Sequence, residues 1–249
     1  MNEPRSISNL RHVLLWSPPL CIALALLFWG PIPQDPAYHA FADQRSAWGV
    51  AHGQNVWSNV LFFFAGLMGL TRSGGLPVRF RAAAYVVSIS LMLVALGSAY
   101  YHEDPRDATL AWDRLPLAVA FMAALVLVGS DRVDVRLSRA LVPAALIAFA
   151  SIGWWVGTGD LRFYAWVQFG GLLLLIQLMV VGRNGILHSG WLWCAIACYA
   201  LAKGFEMSDV WWWQWSGGQF AGHMVKHVVA GFGAFGLVLA MPRGHRTRT

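Results

Sequence analysis

Long apolar stretches nearly free of charge restrict what this chain can fold into more than any other feature. A hydrocarbon core about 30 Å thick takes roughly 20 helical residues to cross. Eight stretches answer to that: 12–30, 56–71, 82–101, 113–130, 138–157, 162–182, 190–207 and 221–241. The second is short, and Lys203 and Glu206 interrupt the end of the seventh. Charged residues make up 12% of the chain and hydrophobic ones 57%. Soluble domains carry about 25% charged residues, so this chain cannot cover a water-facing surface of its size. The expectation is an all-α, polytopic transmembrane helical bundle of eight spans. Disordered, collagen-like, disulfide-scaffold and ordinary soluble-enzyme classes are excluded.

The formal net charge of +6 does not indicate a nucleic-acid partner, because the cations sit in short loops between apolar runs and form no basic domain. With the N-terminus inside, twelve Lys and Arg fall on inner segments against four on outer ones. That is the positive-inside pattern, and it places both termini in the cytoplasm. Arg5 and Arg11 precede the first span as in a signal peptide, but Pro18-Pro19 break the run and no small-x-small cleavage site follows. The first span is therefore expected as a retained helix. Cys21, Cys194 and Cys198 all lie in apolar runs and suggest no disulfide framework.

Ionisable residues near membrane spans are costly and mark function. They gather in Gly97-Ser98-Ala99-Tyr100-Tyr101-His102, in Trp112-Asp113-Arg114-Leu115-Pro116, and in Gly222-His223-Met224-Val225-Lys226-His227. Span parity puts all three at the outer face. His223 and His227, four apart, project to one side of a helix and suit two ligands on one metal. His102 completes a three-histidine set, which on tetrahedral zinc leaves one position open, the mark of a catalytic site. Zinc lowers the pKa of water to about 7 and polarises a carbonyl. Asp113 is placed to take a proton and return it to a leaving amine. Ser98, four residues before His102, is placed to donate to a developing oxyanion. Each element alone has a plainer reading: a structural histidine pair, a serine bonded to its own helix, an aspartate capping a helix start beside Arg114. The combination at one membrane face is the specific signal.

Those residues resemble the alkaline ceramidase family, part of a wider group of seven-helix membrane hydrolases and receptors. The family pattern is G-S-x-x-x-H, an Asp eleven residues later in D-x-L-P, and a C-terminal H-x-x-x-H. Here it falls on Gly97, Ser98 and His102, on Asp113 to Pro116, and on His223 and His227. Asn55-Val56-Trp57-Ser58-Asn59 matches the aromatic S-N segment that opens the family's first helix. Phe41-Ala42-Asp43-Gln44-Arg45 and Leu201-Ala202-Lys203-Gly204-Phe205-Glu206 look like segments of bacterial members. The resemblance covers residues 43–241. It implies seven helices around a zinc held by His102, His223 and His227, with Ser98 and Asp113 supporting hydrolysis of ceramide or a related long-chain N-acyl lipid. Residues 1–42 then form a tail, an extra helix and a first outer loop, and 242–249 a basic cytoplasmic tail. The calcium site of eukaryotic members does not carry over, since only Asp35 and Asp43 precede Ser58 as nearby carboxylates.

Lys203 and Glu206, spaced i,i+3, are expected to pair, with Asp209 beyond them; all three are candidates to support the metal site. Lys226 either snorkels or pairs with Glu206. Trp211-Trp212-Trp213-Gln214-Trp215 reads as an interfacial belt or as a lip over a substrate entrance, and Gln168 and Gln177 as interhelical bonds. Two other functions remain open. One is a receptor-like or lipid-binding membrane protein whose metal site has little catalytic role; the other is a haem protein, disfavoured because His223 and His227 share one turn.

Overall fold

A computed structural model describes residues 5–183 and 185–243. Arg246 and Arg248 of the expected basic tail lie outside the described residues. Those described are helical throughout, with no strand beyond an isolated bridge between Ala47 and Val50. Among the described residues, five helical stretches are long and apolar enough to cross a membrane: Val78–Glu103, Asp107–Arg132, Val135–Thr158, Arg162–Val181 and Gly222–Leu239. Large apolar side chains such as Phe28, Val142, Leu146 and Val180 remain exposed on the helices, as surfaces that meet lipid require.

The chain begins with α1 (Arg5–Trp29), which continues through Pro18 and Pro19 instead of breaking there. A proline inside a helix leaves the carbonyl four residues earlier without its donor. For Pro18 that carbonyl belongs to Leu14, and Gln177 Nε2 donates to it at 2.6 Å from a neighbouring helix. Trp166 Nε1 donates to Pro19 O at 3.0 Å. Interhelical donors thus serve the backbone around the proline pair, and the helix expected over 12–30 is present.

A loop then leads to short α2 (Gly53–Trp57) and to α3 (Val60–Ser73). Two long helices follow, α4 (Val78–Glu103) and α5 (Asp107–Arg132), packed tightly on each other. Next come α6 (Leu141–Thr158), the single turn α7 (Arg162–Ala165), a π-helical turn at Trp166–Gly170 and α8 (Gly171–Val181). The chain closes with α9 (Ser189–Met207), short tryptophan-rich α10 (Asp209–Trp215) and α11 (Gly222–Leu239). α4 and α11 each pack against α3, while α1 lies outside against α8. One apolar core, around Ala65, Val87, Leu127 and Val238, fills the end of the bundle holding the Ser73–Leu76 and Leu187 turns. A second, built on Phe41, Tyr101, Leu110, Trp155 and Tyr164, lies at the opposite end beneath the loop before α2.

Asp113 is not at a helix start. α5 begins at Asp107, so Asp113 lies between one and two turns inside it, and the capping role that a start at 113 would give it falls away. Pro116 leaves the Trp112 carbonyl without its helical donor, and Gly97 of α4 fits against that carbonyl: a Cβ at position 97 would lie 2.1 Å from Trp112 O. The glycine of the first motif and the proline of the second therefore make one close crossing. It brings α4 and α5 together where Ser98 and Asp113 stand.

Candidate metal centre

His102 ends α4, and His223 and His227 occupy the first turns of α11. The three side chains are 0%, 4% and 5% exposed, and their ligating nitrogens lie within 4.8 Å of one another. The rings stand edge-on to each other, with centroids 4.8–5.0 Å apart. His102 Nε2 and His227 Nε2 are 3.2 Å apart. Two nitrogens on a tetrahedral zinc, each about 2.0–2.1 Å from it, come to nearly that separation.

Hydrogen bonds fix one tautomer. Ser58 Oγ donates to Asn55 O at 3.0 Å, so its lone pair accepts from His227 Nδ1 at 2.9 Å. His227 Nδ1 then carries the proton and Nε2 the free lone pair, as a metal ligand needs. His223 Nε2 and His102 Nδ1 are buried with no hydrogen-bond partner among the described residues. A buried polar atom without a partner is costly, and a cation among the three rings gives His223 Nε2 one. The donor set fits a zinc-like ion, since neutral imidazoles are its common ligands.

The loop before α2 closes this end. Phe41 packs on His102 and His223 with ring centroids 4.7 and 4.5 Å away. Asp209 Oδ2 accepts from Ala42 N at 2.9 Å and Asp209 Oδ1 from His223 N at 2.7 Å. Asp209 thereby caps the start of α11, whose first amides lack helical acceptors, and it holds Phe41 in place. Arg45 pairs with Asp43 at 2.9 Å, donates to Gln219 O and lies over Trp213. Burial opposes ionisation of Asp43, but hydrogen bonds from the Arg45 side chain and backbone, with its charge, outweigh that and hold the carboxyl below its ordinary range. His52 takes a left-handed backbone, φ 46°, and its Nδ1 bonds His102 O at 2.9 Å.

Ser98, Asp113 and His227 share the wall of one cavity of about 570 Å³. Ser98 on α4 and Asp113 on α5 face this cavity together. From this polar end the cavity runs between α4, α5, α8, α9 and α11 past Leu91, Phe121, Leu192 and Leu237, mostly apolar throughout. Lys203 and Glu206 are on the same wall, and Glu206 receives Lys203, Lys226 and the Tyr38 hydroxyl. They form a charge cluster beside the imidazoles without bonding to them. No tryptophan of α10 lines the cavity; Trp211 and Trp215 stack on each other instead, at 6.0 Å.

The sequence reading passed over Ser58 as a partner of the metal histidines, and it gave no role to His39, which bridges Tyr101 Oη at 2.9 Å and Asp107 Oδ1 at 3.0 Å. For Ser58 the signal was present, in the S-N segment at the opening of a helix. For His39 there was none. Comparison of the chain with protein-family models and with curated proteins gives no match.

Proposed function

We propose that this chain is a zinc-dependent membrane amidohydrolase of the alkaline ceramidase kind. Its substrate would be ceramide or a related long-chain N-acyl lipid, cleaved at the amide to a fatty acid and an amine. The observation that carries this reading is the cavity itself: Ser98, Asp113 and a metal-competent His227 on one wall, at the head of an apolar channel. Ligand cavities of about 300–1,000 Å³ that are mostly apolar with a few convergent polar groups are ordinary small-molecule sites.

Zinc held by His102, His223 and His227 would supply Lewis acidity and activate water at neutral pH. The chain's own residues do the rest. Asp113 accepts the proton released at attack and returns it to the leaving nitrogen, which one carboxyl can do in sequence. Ser98 beside it orients that carboxyl and offers a hydroxyl to the developing oxyanion. Phe41 and the second apolar core keep bulk water from the imidazoles, strengthening each charge interaction within. Substrate chains enter from lipid, and α8 and α9, which touch little, leave a lateral path. In this reading eight segments span the membrane, both termini are cytoplasmic, and the metal centre lies near the outer face.

Metal content and fatty-acid release, measured on the same purified protein, test the proposal. Wild type should hold about one zinc per chain, as three ligands imply, and release fatty acid from ceramide or another N-acyl lipid over many turnovers. His223→Ala should lose both. Asp113→Asn should keep the metal and lose at least about a hundredfold in rate, the usual contribution of a general acid–base. Zinc without turnover on any N-acyl lipid would assign the chain to the receptor-like reading. Full activity in metal-free protein would rule out the mechanism.

A further inference from the structure

The cavity wall carries a charge that amide hydrolysis leaves unused. Arg114, next to Asp113 on α5, is 7% exposed. Its guanidinium carbon lies 4.5 Å from the Trp155 ring, 5.0 Å from Tyr164 and 5.3 Å from Tyr38. Aromatic faces stabilise a cation, but they accept no conventional N–H hydrogen bond. Nη1 is buried with no acceptor among the described residues. The other two cations on the wall, Lys203 and Lys226, are both engaged by Glu206. Against three cations stand Asp113 and Glu206, while Asp35 is exposed at the rim and accepts from Ala37 N. Of the three cations on this wall, Arg114 is thus the one without an ion pair among the described residues, at the polar end of an apolar cavity.

A buried charge left unpaired costs several kcal/mol. A guanidinium answers best to two coplanar oxygens, which it binds through parallel hydrogen bonds. The three rings lie against the guanidinium carbon and give its N–H groups no oxygen acceptor, a need that a planar carboxylate on the cavity side would meet. We propose that Arg114 binds the carboxylate of a long-chain amphiphile whose tail fills the cavity. Two sources share that chemistry: a free fatty acid such as amide cleavage would release, or an N-acyl lipid whose amine part bears an acid. The inference rests on the cavity being a lipid site, as proposed above, but not on turnover.

Binding to the full-length protein in detergent, by competition against radiolabelled oleate, tests it. The competitors are oleate beside oleyl alcohol, and N-oleoylglycine beside N-oleoylethanolamine. Wild type should bind at least one acid about tenfold or more tighter than its neutral counterpart, the size of one charge-assisted hydrogen bond. Preference for oleate alone identifies the free acid, and preference for N-oleoylglycine identifies an acidic amine part. Arg114→Met should abolish the preference, and Arg114→Lys should keep part of it. His223→Ala, with the metal set broken, should leave it intact. Absence of oleate binding, equal affinities in wild type, or a preference that survives Arg114→Met would overturn the proposal. So would a preference lost with His223→Ala, because the carboxylate would then be held by the metal. The wild-type comparison needs no variant, so misfolding of Arg114→Met leaves the test decisive. Because the readout is binding, a failure of amide hydrolysis would not be mistaken for a failure here.

Discussion

His227 is oriented by a hydroxyl that has already committed its own proton. Ser58 donates to Asn55 O and accepts from His227 Nδ1, so the imidazole offers Nε2 to the centre. Groups that orient a ligand in this way change metal affinity by about 10–100-fold when removed. Ser58→Ala should therefore weaken zinc binding by about that factor in a chelator competition, with the fold kept. An unchanged affinity would show that the α11 backbone alone sets the ring. The histidines and Asp113 were legible in the sequence because their spacing of four residues, or their place at the end of a span, assigns them a side and a depth. Arg114 was legible only as a neighbour of Asp113. Its burial among Tyr38, Trp155 and Tyr164 depends on rings brought in from three other segments.

The crossing of α4 and α5 depends on a glycine that the sequence marked only as part of a motif. A methyl at position 97 would meet the Trp112 carbonyl at 2.1 Å, and backbone cannot yield as a flexible side chain can. Gly97→Ala should destabilise by about 1–3 kcal/mol, the range for overpacking, and should reduce activity by separating Ser98 from Asp113. Gly157→Ala, where nothing lies within 4 Å, is the matched control; thermal unfolding of the two in the same detergent should separate them. Equal melting temperatures would mean that the crossing tolerates a methyl. Periodicity and apolar length located the long helices, and the two spans singled out as weakest, 56–71 and 190–207, are among those that fall short of a membrane-crossing helix by length or composition. α5 starts six residues before its expected boundary, because the polar Asp107 and Thr109 interrupt the apolar pattern by which the span was bounded.

The N-terminal helix α1 is tied to the body at its middle and at its C-terminal end. Gln177 and Trp166 hold its middle. Arg162 Nη1 reaches Leu26 O and Leu27 O at 3.3 Å, supplying donors to carbonyls at a helix end. Asp160 holds Arg162 and also accepts from Ile32 N at 3.1 Å. The Arg162 hydrogen bond is the main cause that lowers the Asp160 pKa below its ordinary value, against the opposing effect of burial. A lowered folded pKa gives stability that is complete above the unfolded carboxylate value, about 3.9, and is lost as pH falls through the folded one. Asp160→Asn should thus melt below wild type at pH 7, by roughly 2–4 °C for each kcal/mol lost, and the gap should narrow progressively as pH falls below about 4. A gap independent of pH would mean that the carboxylate charge is not what joins α1 to the α6–α7 corner. For the molecule as a whole, the sequence by itself determined an all-helical class with long apolar stretches and the residue types of the three-histidine group, because apolar length and ligand spacing are properties of the chain read locally. Only the tertiary structure decided that the imidazoles converge within 4.8 Å and that Ser98, Asp113 and Arg114 share one cavity wall. Those outcomes depend on which side chains from distant segments supply a missing partner, and linear spacing does not encode that.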